Sequence, residues 1–429
     1  MQFFDVVIVG AGPAGLISAL ELSKAGCHVA VIEKIKDVRE VRRACSQQLI
    51  LDEEYEGDIV TVNESGFYFK NADFTVPYKG DLIPLYDKYY HSPKNHCLHF
   101  ARDDGKTPFS YKFRKTDLLG GMYDLCEDSG VTFFMHTRAS KISDSDAGAE
   151  VTILHKDRTS ETLFCKKLIL AEGVNANLAN RLGMNSKRFY MAASPVVKQV
   201  YRGVTGIAPN SWNLYYGKAY YSNSPVIIGP GFDGTVEVTA TGGTHVRPLE
   251  VLSNFTTKSP MAEFFANAQL VDAYGCCLKA RMPMSEPCKG NVIVLGDAAA
   301  MIETEVQGAF LCGYYGAHAV IRELQGEDGW NDYTKWWLSA FEFNRADYMR
   351  VAQGYGLVPT YTDDELDYLF ALVEDVTMPG TYSQYRTPAL MWDTIFSRID
   401  IVMEDNHALY DKICNVNKIS LNTSLTASK

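Results

Sequence analysis

The chain has 429 residues, of which 46% are hydrophobic and 22% are charged, the composition of an ordinary globular protein. Its formal net charge of −11 disfavours a nucleic-acid-binding protein, because phosphate recognition needs clustered Lys and Arg. No stretch reaches the roughly 18 consecutive apolar residues of a transmembrane helix, so we expect no integral membrane segment. At about 150 residues per domain, the length predicts two or three domains.

The N-terminus and the cysteines both bear on cellular location. An apolar segment begins by residue 4 without a basic leader, which disfavours a secretory signal. The 10 cysteines form no Cys-x-x-Cys pair, which argues against a structural zinc site and fits a reducing compartment. We therefore expect a cytoplasmic protein without a metal site.

The segment FFDVVIVGAGPAGLISALELSKAGCHVAVIEK predicts a strand, a glycine turn, a helix and a second strand. Residues 4–9 are apolar and mostly β-branched apart from Asp5, as in a parallel strand buried on both faces. Residues 10–15 match Gly-x-Gly-x-x-Gly, and apolar residues then recur at helical spacing until Gly26. A second apolar run at 29–32 ends at Glu33. This order is typical of a dinucleotide-binding βαβ unit.

The residue types of this turn fit a pyrophosphate. Gly10 permits the tight turn, Gly12 lets the backbone approach the phosphates, and Gly15 lets the helix pack on the strand. The helix N-terminus supplies N–H groups and a partial positive charge. Glu33 stands about where a ribose-binding acid is expected, so the unit favours FAD or NAD over a cofactor with a 2′-phosphate.

The chain after Glu33 distinguishes between these two cofactors. An NAD-binding domain would continue with regular βαβ units, whereas residues 34–50 are basic and turn-like and residues 51–110 form a long, aromatic, irregular insert. Helical spacing returns only at FRKTDLLGGMYDLCEDSGV, and further strand-like apolar runs follow it. The pattern therefore favours FAD.

Four segments, in order, resemble one known family. They are GAGPAG with Glu33, RRACS at 42–46, KLILAEGVNANLANRLG at 167–183 and VIVLGDAAAMIETEVQGAF at 292–310. By them the chain is identified as a member of the FAD-dependent oxidoreductases that include the geranylgeranyl reductases and the p-hydroxybenzoate-hydroxylase-like monooxygenases. The resemblance implies an α/β fold with a Rossmann-type FAD-binding domain, an antiparallel β-sheet substrate domain and a helical C-terminal region. The implied division is 1–185 with 286–325 for FAD, interrupted by the 51–110 insert, then the sheet at 186–285, the helical region at 326–420 and a disordered tail at 421–429.

The resemblance also implies which residues hold FAD. Asp297 would bond a ribityl hydroxyl, unless it is only a helix N-cap, and the helix after it would point its N-terminus at the flavin ring. Arg42 or Arg43 would lie near the ribityl chain or pyrophosphate and Arg114 near the phosphates, unless these are surface arginines. The full implied set is Gly10, Gly12, Pro13, Ala14, Gly15, Glu33, Lys34, Arg42, Arg43, Ala44, Cys45, Arg114, Ala139, Gly173, Gly296, Asp297, Gln307, Gly308 and Ala309.

Three departures from the family pattern affect the expected chemistry. Glu172-Gly173 replaces the family's Asp-Gly, which leaves NAD(P)H open as the direct reductant. Glu303 replaces the Asn of its Asn-Pro pair, and residues 307–309 replace its glycine-rich element. Glu303 and Glu305 would then lie near the active face of the flavin. One of the two is either a proton donor with a raised pKa or a solvated turn acid.

The remaining segments predict a substrate site and its cover. The insert is typical of a pocket wall or lid. Residues 189–285 alternate strand-like segments with turns, as in the family's substrate sheet. Its tyrosines at 215–216 and 220–221 either line an aromatic pocket or pack on the sheet. The acidic, aromatic, helical region beyond about residue 325 either closes the cavity or contacts a second subunit.

Two reactions on a small-molecule substrate fit this pattern. The first is reduction or dehydrogenation of a carbon–carbon bond by hydride transfer at flavin N5, with Cys45 and Glu305 as catalytic residues. Cys45 matches a cysteine of the geranylgeranyl reductases. The alternative is hydroxylation of an aromatic or other activated substrate through a C4a-hydroperoxyflavin. A third class is electron transfer to a partner, and both an electron-donor protein and a homo-oligomer stay open. Halogenation is disfavoured, because Trp-x-Trp-x-Ile-Pro is absent.

Overall fold

The computed structural model describes residues 2–243, 246–345 and 357–415. Its strands are β1 (Gln2–Val9), β2 (Val29–Ile32), β3 (Gln48–Ile50), β4 (Val60–Asn63), β5 (Gly66–Phe69), β6 (Phe74–Pro77), β7 (Leu82–Leu85), β8 (Asp87–His91), β9 (Cys97–Ala101), β10 (Ser110–Phe113), β11 (Thr132–Phe134), β12 (Arg138–Ser145), β13 (Gly148–Leu154), β14 (Ser160–Leu170), β15 (Tyr190–Arg202), β16 (Ser211–Tyr215), β17 (Val226–Pro230), β18 (Thr235–Thr241), β19 (Gln269–Arg281), β20 (Cys288–Lys289), β21 (Val292–Val294) and β22 (Thr377–Pro379). Its helices are α1 (Pro13–Lys24), α2 (Lys115–Asp128), α3 (Asn177–Arg181), α4 (Pro248–Thr257), α5 (Glu305–Leu324), α6 (Gly329–Ala340), α7 (Leu357–Thr360), α8 (Asp363–Val373), α9 (Arg386–Phe396), α10 (Ile399–Asp405) and α11 (His407–Cys414).

The first sheet is the predicted Rossmann-type sheet. Its order is β11-β2-β1-β14-β13-β12, and β21 adds to β14. β1 pairs in parallel with β2 and β14, and β14 pairs in parallel with β21. The apolar run of β1 is buried from Val6 onward, as a strand covered on both faces requires. Helices α1 and α5 pack together over this sheet. The predicted α/β class is therefore confirmed.

Register places the ends of the parallel strands side by side. Val9 lies opposite both Ile32 and Leu170, and Leu170 lies opposite Val294. The loops that follow these strands therefore meet at one edge of the sheet. In open α/β sheets, ligands bind outside the carboxyl ends of the strands. This edge carries the glycine turn, Glu172 and Asp297.

The second large sheet has the order β19-β15-β18-β17-β16-β8-β9-β22. Its strands from β15 to β19 come from the segment expected to form the substrate sheet, and their mutual pairings are antiparallel. The sheet also takes β8 and β9 from the insert and β22 from the C-terminal region. The proposed division into domains stays a prediction, and the sheet crosses its boundaries.

The insert differs from the irregular segment that its sequence suggests. Residues 51–110 contain β4 to β9 and the start of β10. In β8, side chains alternate between half-buried and buried positions, which is the period of a strand with one buried face. Its neighbour β16 lies more than a hundred residues further along the chain. Pairing at that distance leaves no local sequence signal.

The C-terminal helices cover the insert's strands. Leu369 and Phe370 of α8 and Trp392 of α9 share an apolar core with Leu98 and Phe100 of β9. In the described part of the chain, no helix is long and apolar enough to cross a membrane. The expected disordered tail at 421–429 lies outside the described residues.

Candidate cofactor and substrate site

The glycine turn after β1 is fixed by close backbone contacts. Gly10 has φ +108°, and a Cβ there would lie 2.2 Å from the carbonyl oxygen of Ala171. A Cβ on Gly15 would lie 1.9 Å from the carbonyl oxygen of Gly10. Both positions therefore exclude any side chain, and α1 packs directly on the turn.

Gly12 is different, because space is open beside it. No described atom lies within 4 Å of where its Cβ would be. Gly12 is the N-cap of α1 and gives no side-chain cap, and Pro13 opens the helix. The first-turn N–H groups of α1 therefore face an open cradle with a partial positive charge, which fits a pyrophosphate. Ala14 lies behind it, 3.6 Å from a Cβ placed on Gly296.

Glu33 ends β2 beside this cradle. Its Oε2 accepts a hydrogen bond from the N–H of Ala11 (2.8 Å), and its Oε1 accepts one from the N–H of Ile35 (3.0 Å). Lys34 next to it is exposed, and Ala139 is half-buried in β12. The strand that follows Thr137 joins the same edge, because the N–H of Thr137 donates to the carbonyl of Glu33. The carboxylate is thus held where the ribose of a dinucleotide would lie.

Arg43 and Asp297 meet at the adjoining part of the edge. Nη1 of Arg43 is 3.4 Å from Oδ2 of Asp297 and 3.7 Å from a Cβ placed on Gly173. Oδ1 of Asp297 accepts hydrogen bonds from the N–H (3.0 Å) and the hydroxyl (3.2 Å) of Thr304, the N-cap of α5. Burial alone would lower the pKa of Arg43, but Asp297 and Glu303 outweigh it and raise the pKa. The guanidinium stays charged.

Two other predicted cofactor residues are engaged by the second sheet. Arg42 donates to Asp272 and lies 4.9 Å from the ring centroid of Tyr274. Arg114 is the N-cap residue of α2, and its guanidinium is 2.8 Å from Oδ1 of Asp233. The structure therefore does not bring these two arginines together with Arg43 and Asp297. Their contact with FAD stays a prediction.

The first turn of α5 packs against the insert. The side-chain oxygen of Gln307 accepts from the N–H of Ile50 (3.0 Å), while its buried Nε2 has no hydrogen-bond partner among the described residues. A Cβ on Gly308 would lie 1.9 Å from Oε2 of Glu56. Ala309 is buried beside it. The open Nε2 donor is available to a polar edge such as that of a flavin.

A cavity of about 610 Å³ lies between this turn, the loop at residues 44–46 and the second sheet. The end of the cavity beside the first turn of α5, called its cofactor end, carries Cys45, Glu303 and Glu305.

Of the four tyrosines singled out in the sequence, only Tyr216 lines the cavity. Tyr215 and Tyr220 pack against α4, and Tyr221 is exposed. The described lining residues are Ala44, Cys45, Ser46, Lys88, Tyr90, Tyr190, Met191, Ala192, Ala193, Ser194, Val196, Lys198, Trp212, Leu214, Tyr216, Asn223, Ser224, Pro225, Ile227, Glu237, Thr239, Thr241, Gly242, Gly243, Val246, Cys276, Leu278, Ala280, Ile302, Glu303, Glu305, Tyr382, Gln384 and Pro388.

The two glutamates of the cavity both have raised pKa values. Burial raises the pKa of Glu303, and Asp297 raises it further. Burial also raises the pKa of Glu305 well above its ordinary value, with Glu303 and Cys45 adding to the effect. Glu305 has a left-handed backbone (φ +56°), which is uncommon for a non-glycine residue. A carboxyl group in this position can hold a proton near neutral pH.

Cys45 lies at the same end as the glutamates. Its Sγ is 4.0 Å from Nζ of Lys115, and its carbonyl accepts a hydrogen bond from Nζ of Lys198 (2.9 Å). The thiol of Cys276 lies 3.6 Å from the carbonyl oxygen of Ala44. The structure thus brings the two predicted catalytic residues, Cys45 and Glu305, to one end of one cavity.

Sequence reasoning missed a buried charge cluster behind Cys45. Nζ of Lys112 and Nζ of Lys198 lie 2.7 and 2.8 Å from the same oxygen, Oε2 of Glu237. Lys112 also donates to the carbonyl of Ser46 (3.1 Å). Burial opposes ionisation of Glu237, but the two lysines outweigh it and lower its pKa. The available signal was a charged residue inside an apolar strand pattern, as in VVKQV and TVEVT.

The described residues contain no group of three or more His, Cys, Asp or Glu that could hold a metal ion. The open glycine cradle, the acid at the end of β2 and the paired Arg43 and Asp297 are consistent with an extended dinucleotide along one edge of the sheet. A substrate-sized cavity adjoins its far end. This fold and this site define an FAD-dependent oxidoreductase.

Comparison with known proteins agrees with that class. The model of the pyridine nucleotide-disulphide oxidoreductase family matches residues 4–268, and the chain belongs to this family. The chain is 20% identical over 395 residues to digeranylgeranylglycerophospholipid reductase 1 of Methanococcoides burtonii, covering 87% of this chain and 88% of that protein. It is 24% identical over 327 residues to protein FixC of Salmonella typhi, covering 70% and 71%.

Solved structures show the same fold. A geranylgeranyl bacteriochlorophyll reductase-like protein from Thermoplasma acidophilum superposes with a TM-score of 0.70 at 16% identity, covering 97% of this chain and 100% of that one. The p-nitrophenol 4-monooxygenase PnpA of Pseudomonas putida superposes with a TM-score of 0.58 at 15% identity, covering 93% and 98%. The predicted resemblance to the geranylgeranyl reductase-like and hydroxylase-like flavoproteins is therefore confirmed, and these structures share its fold.

Proposed function

We propose that the protein reduces a carbon–carbon double bond of an apolar organic substrate, or forms one in the reverse direction. One observation carries this proposal: the cavity holds the thiol of Cys45 and the carboxyl groups of Glu303 and Glu305 at its cofactor end. Raised pKa values favour the protonated carboxyl groups. A relative named as a reductase of a digeranylgeranyl lipid supports this reading.

The reaction adds one hydride and one proton across the double bond. Reduced FAD supplies the hydride when it is bound, and its own two electrons come from NAD(P)H or an electron-donor protein. The residues of this chain supply the rest. Cys45 or Glu305 gives the proton to the second carbon, and the apolar wall of Met191, Val196 and Leu278 excludes water from the substrate.

The charge cluster behind Cys45 has a positioning role in this proposal. Lys198 holds the carbonyl of Cys45, and Lys112 holds that of Ser46. Both lysines are themselves held by Glu237. This arrangement ties the loop that carries the thiol to β10 and to the second sheet, as a preorganised site requires. Aromatic hydroxylation is the alternative, and the Trp212 and Tyr216 side chains in the wall favour it.

Anaerobic single turnover separates these reactions. Protein loaded with FAD and reduced by dithionite is mixed with a polyprenyl alkene under argon, and the product is analysed by mass spectrometry. We expect the product to gain two hydrogens. Whichever of Cys45→Ala and Glu305→Gln removes the proton donor should slow this step at least about tenfold, since positioned proton donors contribute 10²–10⁴-fold. Cys277→Ala, at an exposed cysteine, is the matched control.

Two results would contradict the proposal. One is a product that forms only in air and carries an added oxygen atom, which would establish the hydroxylase instead. The other is failure of the purified protein to take up FAD, which would remove the oxidoreductase reading altogether.

A further inference from the structure

The end of the cavity away from Cys45 contains a buried lysine without a counterion. Lys88 lines the cavity and is 4% exposed. The two other buried lysines, Lys112 and Lys198, both bind Glu237. In the part of the chain that the structure describes, no carboxylate lies within 4.0 Å of Nζ of Lys88. A buried, unpaired cation is costly unless something compensates it.

The protein groups around Lys88 are neutral and mostly distant. Nζ donates to the hydroxyl of Thr387 at 2.7 Å, but the carbonyl oxygens of Thr381 and Tyr382 lie at 3.3 and 3.5 Å. Two of its three partners are therefore at the long limit of a hydrogen bond. A carboxylate oxygen would replace them with a charge-assisted bond.

Asp52 raises the pKa of Lys88 electrostatically, but its Oδ2 is engaged by other residues. Asp52 accepts from the hydroxyl of Thr381 (2.6 Å) and lies 3.3 Å from the guanidinium of Arg386. It therefore serves as the counterion of Arg386. Lys88 is left with aromatic neighbours, since the ring centroids of Tyr90 and Tyr382 lie 5.6 Å from its Nζ and that of Phe100 lies at 5.9 Å.

We propose that Lys88 binds a carboxylate at one end of the substrate, so that the apolar body of the molecule extends along the cavity toward Cys45. The site takes a monocarboxylic acid with an aromatic or aliphatic body. Tyr382 spans the two ends: its carbonyl lies at Lys88, and its phenol lies beside Ser46 and near Glu305. This inference rests on the proposed function only in taking the cavity as the substrate site.

The chemistry of the cavity favours a carboxylate over a phosphate. Lysine offers one point charge, whereas phosphate sites usually gather several donors or an arginine fork. Burial lowers the pKa of Lys88 to about 7, so a carboxylate beside Nζ would stabilise the charged form.

Equilibrium binding tests the site without turnover. Oxidised, FAD-loaded protein is titrated by calorimetry at pH 6.5 with phenylbutanoate, with the uncharged phenylbutanamide and with phenyl phosphate. We expect the carboxylate to bind at least about tenfold more tightly than the amide and the phosphate. Lys88→Met should abolish that preference. Lys79→Met, at an exposed lysine, should retain it.

Each other outcome is informative. Equal affinity for acid and amide, binding of neither, or an unchanged preference in Lys88→Met overturns the site, and tighter binding of phenyl phosphate overturns the choice of carboxylate. If Lys88→Met does not fold, Lys88→Gln is measured instead, and loss of the acid preference upholds the site whereas its retention overturns it. Because no reaction is involved, an acid preference with no alkene reduction would refute the proposed function alone.

Discussion

Gly12 and Gly10 both lack a side chain, but the structure requires glycine at the two positions for different reasons. Space beside Gly12 is open, and its backbone φ is ordinary, whereas Gly10 is excluded from carrying a side chain by its φ of +108° and by the carbonyl of Ala171. One glycine therefore makes room for a ligand and the other makes the turn possible. Substitution separates these two purposes.

We expect Gly12→Ala to preserve the fold and weaken cofactor binding. The apoprotein should lose about 1 kcal/mol or less, because alanine is only a poorer N-cap than glycine. FAD affinity should fall at least about tenfold, since the Cβ stands in the pyrophosphate cradle. Gly10→Ala should cost about 2–4 kcal/mol in the apoprotein. Urea unfolding and FAD titration measure the two effects. Equal stability losses in both variants would contradict this distinction.

Lys88 links stability to pH. Burial lowers its pKa to about 7 in the folded chain, while an unfolded lysine titrates near 10.4. Between these values the unfolded chain binds more protons, so the stability of the wild type rises with pH. Relative to Lys88→Met, the wild type should gain on the order of 1 kcal/mol per pH unit from about pH 7 to 10 and nothing below pH 7. Urea unfolding of both proteins at several pH values measures this difference, and a constant difference would contradict the low pKa.

Between elements, the insert packs closely on α5 where Glu56 meets Gly308. Oε2 of Glu56 has no hydrogen-bond partner in the described chain, and it occupies the space a Cβ on Gly308 would need. Burial, together with Glu305 and Glu342, raises the pKa of Glu56 well above its ordinary value, so this carboxyl group favours the neutral form. Glycine at position 308 is therefore explained by packing between two elements.

We expect Gly308→Ala to destabilise the protein by about 1–3 kcal/mol through overpacking against Glu56. In a Glu56→Ala background the same change should become neutral or stabilising by up to about 1 kcal/mol, since alanine is the better helix former. A double-mutant cycle by urea unfolding measures the coupling. Additive effects of the two substitutions would show that this contact is not what requires glycine.

Some elements of the structure could be predicted from the sequence, and others could not. The β1–α1–β2 unit could be predicted because its signals are local: an apolar run, a glycine turn and a terminal acid within about thirty residues. The resemblance placed Asp297 and either Arg42 or Arg43 near the ribityl chain, but the contact between Arg43 and Asp297 was not predicted, and 254 positions separate the two residues. Strand β8 and the Lys112–Glu237–Lys198 cluster were missed because their partners come from distant strands.

On the scale of the whole molecule, the cofactor edge and the substrate cavity depend on different parts of the chain. The edge belongs to the first sheet and its loops. The cavity needs the second sheet, the insert and the C-terminal segment that carries Tyr382 and Pro388. Arg386 connects these parts, because it donates to Glu342 (2.9 Å) and to the backbone of Glu54 and lies 3.3 Å from Asp52.

Removing this connection should therefore weaken the binding of phenylbutanoate in the cavity and leave the binding of FAD at the cofactor edge intact. Arg386→Met leaves Asp52, which is 7% exposed, without its cation, and burial then favours protonation of that carboxyl group. We expect a loss of about 2 kcal/mol, less than for a fully buried pair, because Arg386 is itself partly exposed. Urea unfolding measures that loss, and hydrogen exchange should show β22 opening more often.

Lys335→Met, at an exposed site in α6, is the control. FAD affinity should stay within about twofold of the wild type. A fall in FAD affinity as large as the fall in phenylbutanoate affinity would show that the edge and the cavity form one cooperative unit.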